Sequence, residues 1–234
     1  MATGARMGMT TGTITAIPTT TAMTTPTDLS HIQTLQSWLS PAFPVGAFAW
    51  SHGLETAIVD DRIASVAALE EWLTTLLKHG SLRNDAVLLR LAHTGEDMAD
   101  LAIALAASKE RHDETQEQGA AFVRTVNALY GWELPPCPYP VAIGLAAARA
   151  DIPVGLAMPL YLQATCSTLI SVGVRLIPLG QTEGQQLLAK LHPLCADVSR
   201  SLAEATEADL GSISVLADIA AMQHETLPTR IFRS

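Results

Sequence analysis

The sequence predicts an all-α fold, a single-domain bundle of about ten helices around an apolar central helix. Three observations carry this. From residue 28 onward apolar residues recur at spacings of three and four. No stretch shows the strict alternation of a half-buried strand. Of the 234 residues 48% are apolar and 16% charged, which suffices for a substantial core.

The elements follow in order. Ser30 and Gln33 have capping-box spacing and open a helix whose face carries Ile32, Leu35, Trp38 and Leu39. Pro41 and Pro44 stop it. A second helix is predicted through Ala47, Trp50, Leu54, Ala57 and Ile58, and a third through Val66, Leu69, Leu73 and Leu76, closed by Gly80. Further helices are expected near 82–93, 97–109 and 111–130, the last closed by Gly131. "WELPPCPYP" reads as a connector. Helices near 140–149 and 157–176, a pair between about 182 and 209, and a short one near 214–224 complete the domain, residues 28–229.

Residues 1–27 are rich in Thr and Ala, with Arg6 the only charge, and read as a disordered tail rather than a secretory signal or an organelle presequence. Between Asp151 and Arg175 lie 23 uncharged residues, long enough to cross a bilayer. Pro153, Pro159, Gln163, Thr165 and Ser171 interrupt that stretch, and flanking anchors are missing, so a buried core helix is expected and no membrane partner. A net charge of −9 argues against nucleic acid as a partner. Three widely spaced cysteines, Cys137, Cys166 and Cys195, fit a reduced, cytoplasmic chain.

The chemistry concentrates in "SPAFPVGAFAWSHGLE", residues 40–55. Ser51 and His52 do not lie in a nucleophile elbow, and neighbours on a helix point about 100° apart. His52 and Glu55, three residues apart, would share a helix face as a hydrogen-bonded pair. The enzymatic alternative is a small α-helical hydrolase using Ser51, His52 and Glu55. No P-loop occurs, nor any H-x-x-x-H spacing. His224 and Glu225 form at most a weak metal pair or a polar helix end. The charged block "SKERHDETQEQG", 108–119, reads as either a solvated face or a polar docking edge. The closing "RIFRS" sets Arg230, Phe232 and Arg233 where a frayed polar end is usual, and residues 230–234 are expected to dock.

Three segments together resemble one family. "SPAFPVGAFAWSHGLE", the core from Tyr139 through the "RLIPLGQT" turn at 175–182, and "LADIAAMQHETLPTRIFRS" are similar to signatures of the urease accessory protein UreF, in order and at natural spacing over residues 30–234. The resemblance implies a non-enzymatic homodimeric scaffold. Such a scaffold binds UreD (also called UreH), recruits the GTPase UreG and supports nickel insertion into apo-urease. It further implies no stably bound cofactor or metal, nickel being handled by the complex. Partner-binding roles are expected for Phe48, Ser51, His52, Glu55, His224, Glu225, Arg230, Phe232 and Arg233.

Overall fold

The computed structural model describes residues 28–234, with Met1 and Gly4; the reading of 1–27 as a disordered tail falls outside the described residues. Among them are ten α-helices and no strand: α1 (Leu29–Trp38), α2 (Leu54–Val59), α3 (Val66–His79), α4 (Ser81–His93), α5 (Ala99–Ala104), α6 (Lys109–Tyr130), α7 (Tyr139–Arg149), α8 (Val154–Leu176), α9 (Gln181–Ser201) and α10 (Val215–His224). Short 3₁₀ turns lie at Ala47–Ala49 and Glu207–Asp209. The all-α expectation holds.

Several boundaries differ from the sequence reading. The cap of α1 is Asp28, whose carboxylate accepts the Ser30 N–H at 2.9 Å, rather than Ser30 itself. The expected second helix is broken: a 3₁₀ turn ends at Ala49, the chain turns through His52 (φ 55°) and Gly53 (φ 76°), and α2 begins only at Leu54. Its cause is tertiary. A Cβ on Gly53 would lie 2.5 Å from the Ala221 nitrogen, so α10 packs directly on this turn and only glycine fits. Likewise the pair expected over 182–209 is one helix, α9, running through Pro193, followed by a 3₁₀ turn. Ser108 caps α6 by accepting the Arg111 N–H, which separates α5 from α6 two residues earlier than expected. Gly131 closes α6 in the left-handed region as read.

Packing explains the rest. Trp38 is fully buried and meets Phe122 edge-to-face at 5.6 Å, fixing α1 on α6. Gly144 of α7 lets the Leu89 carbonyl of α4 approach where a side chain would collide, so these two helices form a close-packed centre. Helix α8 packs against α9 and against α2, α4 and α7. By length and composition it could cross a membrane, but half of its most apolar window is buried within the bundle. All three cysteines are free and buried.

Candidate functional site

The polar residues of 50–55 are sorted by the break before α2. Because His52 stands in the left-handed region, its ring leaves α2 and turns to α6, where Nε2 lies 2.8 Å from Glu114 Oε1. Glu114 is 3% exposed and also accepts from Arg111 and, at 2.8 Å, from Gln118 Nε2. Burial works against the Glu114 charge, but the Arg111 guanidinium and His52 outweigh it and hold the carboxyl below its usual range.

Glu55 makes a different set of contacts, so the expected His52–Glu55 pair does not form. Its carboxylate, 2% exposed, accepts from His224 Nε2 at 2.9 Å and from the backbone N–H groups of Ile231 (2.7 Å) and Phe232 (2.9 Å). The fully buried His224 ring reaches on through Nδ1 to Glu110 Oε2 at 2.7 Å, and Arg230 pairs with the other Glu110 oxygen. Glu225, exposed beside it, accepts the Lys109 N–H at the start of α6.

The C-terminal residues lie over these pairs. Ser51 is buried; its hydroxyl and its N–H both donate to the Ser234 carbonyl. Arg233 stacks on Trp50 with its guanidinium carbon 4.2 Å from the ring centroid and pairs twice with Glu117. Phe232 is 4% exposed, with Arg175 over its ring at 5.6 Å, while Ile231 points outward. Ser51, His52 and Glu55 therefore do not assemble as nucleophile, base and orienter. The Ser51 hydroxyl is bonded to a backbone carbonyl, and His52 Nδ1 has no partner among the described residues.

Arg175, His52 and Glu114 also line a cleft of about 790 Å³ between α1, α6 and α8, with Phe48 exposed at its rim. Asp85 stands in its wall, accepting the Tyr161 hydroxyl at 3.0 Å. Burial pushes the Asp85 carboxyl up, against the pull of Arg111, and pushes the Tyr161 hydroxyl well above its usual range, so Tyr161 remains a donor. A raised folded-state pKa means that the ionised Asp85 costs stability above that pKa and the cost fades as pH falls through it. Asp85→Asn keeps an acceptor for Tyr161 and removes the charge. It should raise the melting temperature at pH 7, with the gain shrinking toward acid; a lower melting temperature at pH 7 would refute this account.

Sequence reasoning missed Glu110, Arg111 and Glu114 as partners. A signal was present: the buried α6 positions Phe122 and Val126 extend backwards by fours to Gln118, Glu114 and Glu110. That stripe shows a polar segment of the interior face within what reads as a charged block. Among the described residues no group of three or more His, Cys, Asp or Glu is arranged to hold a metal ion.

Fold and site together define an all-helical protein whose buried charged side chains pair with residues of its own chain. The UreF family model matches residues 63–192. A urease accessory protein UreF of Cereibacter sphaeroides is 52% identical over 204 residues, covering 86% of this chain and 97% of its own length. The UreF of Dinoroseobacter shibae is 50% identical over 203 residues, covering 86% and 97%, and the UreF 1 of Brucella canis 44% over 214 residues, covering 86% and 92%. The chain belongs to the UreF family of urease accessory proteins.

Proposed function

We propose that this protein is a urease-maturation scaffold which, with UreD and the GTPase UreG, supports GTP-dependent nickel insertion into apo-urease, acting in the cytoplasm as a homodimer. Family membership supports the urease connection. The observation that carries the scaffold reading is the outer face of α10. Val215, Ile219 and Met222 share that face at helical spacing and are exposed, with Ile213 and Leu216 beside them. The neighbouring tail adds exposed Ile231 and Arg230. Such a surface, apolar with a polar edge, suits a protein partner such as UreD.

In this reading the site residues divide by exposure. Phe48, Glu225, Arg230 and Arg233 meet partners, Phe48 from the rim of the cleft. Ser51, His52, Glu55, His224 and Phe232 hold the backbone that presents them. Nickel is cargo of the assembled complex, and no cofactor resides in this chain.

Co-expression with UreD and UreG followed by size-exclusion chromatography should give a common peak. Urease activation by that complex should require GTP although the isolated chain binds none. Tight GTP binding to the isolated chain, or the absence of co-elution, would overturn the proposal.

A further inference from the structure

The backbone attachments of residues 231–234 converge on one short stretch. The Ile231 and Phe232 N–H groups donate to Glu55, the Arg233 N–H to the Ala49 carbonyl at 2.8 Å, and the Ser234 carbonyl accepts the Ser51 N–H at 2.6 Å. Between His224 and Ile231 the chain runs largely exposed, tied by turn hydrogen bonds at Thr226 and Leu227, by the Glu225 contact to Lys109 and by Arg230 on Glu110. This is a strap rooted in α10 whose far end carries its densest backbone bonding.

Glu55 stands at the centre of that end, with the Arg233–Glu117 pair and buried Phe232 beside it. Three donors converge on its two oxygens, and His224 is shared between the strap's root and the bundle. A carboxylate accepts at both oxygens; a carboxamide of the same shape accepts at one and presents N–H to the donors at the other. We propose that Glu55 is the clasp of a releasable strap: residues 225–234 detach as a unit when this carboxylate is lost, while the bundle stays folded. Release would bare the Trp50 ring and free Arg175, now over Phe232, into the cleft it lines.

Hydrogen exchange on the full chain tests this. In Glu55→Gln the amides of Ile231, Phe232 and Arg233 should exchange about tenfold faster or more, while α4 and α7 keep their protection. Unchanged tail protection would show that Glu55 is not the clasp. Loss of protection throughout α4 and α7 together with the tail would show that the tail belongs to the core's cooperative unit. Should the variant fail to fold, the native chain decides: the three tail amides should be clearly less protected than those of α4 and α7, and equal protection overturns the proposal.

Discussion

Replacing Glu114 by alanine should cost the bundle about 3–5 kcal/mol, because it strips the anion from a buried cluster and leaves the Arg111 guanidinium without its partner. Arg111, its side chain 12% exposed, and His52, 9% exposed, would be left facing an empty site. Asp85 and Asp218, the other carboxylates that feel Arg111, are already engaged by Tyr161 and Ser212 and are themselves disfavoured in their charged forms by burial. For a chain of this size the expected fall in melting temperature is about 10 °C. The pH dependence has a definite sign. Glu114 is held below its ordinary carboxylate value when folded, so its contribution is complete above the unfolded value and is lost as pH falls through the depressed folded one. The wild-type advantage over Glu114→Ala should therefore be flat near neutrality and shrink in acid. A melting temperature unchanged by the substitution would mean that the cluster contributes nothing net.

Loss of the C-terminal surface should have the largest effect on assembly. Deleting residues 230–234 is expected to abolish complex formation with UreD and UreG. The deletion also removes buried Phe232 and two arginine pairings, so some loss of stability accompanies it and cannot by itself distinguish docking from folding. Ile231→Asp makes the distinction. Ile231 is 70% exposed, so the change leaves the core intact and should barely move the melting temperature. Affinity should nevertheless drop about thirtyfold if Ile231 is an anchor in the partner interface. Normal assembly by Ile231→Asp, measured by co-elution and titration, would remove this residue from the interface. Normal assembly by the deletion would assign the tail to folding alone.

Much of the fold was legible because helices are governed by local repetition. The stripe Leu69, Leu73, Leu76 and Leu77 and the glycine after Tyr130 are read from a few neighbouring residues, and the structure keeps them. Where the reading failed, a distant segment had intervened. Ala47 to Ile58 has helical spacing throughout, yet α10 presses on Gly53 and interrupts the helix there. The site shows the same division. Ser51, His52, Glu55 and His224 stand out in the sequence as polar residues in apolar surroundings. Their pairings do not, since Glu114 lies 62 residues from His52, His224 lies 169 from Glu55 and Ser234 lies 183 from Ser51. By itself the sequence determined the helical class, most helix positions, the long apolar helix α8 and the resemblance to UreF, since each rests on short-range periodicity or contiguous motifs. Only the tertiary structure decided which carboxylate meets which cation, that the tail lies over α2, and that Phe232 turns inward while Ile231 faces out. Those choices depend on burial and on distances between remote segments, which a one-dimensional pattern does not contain.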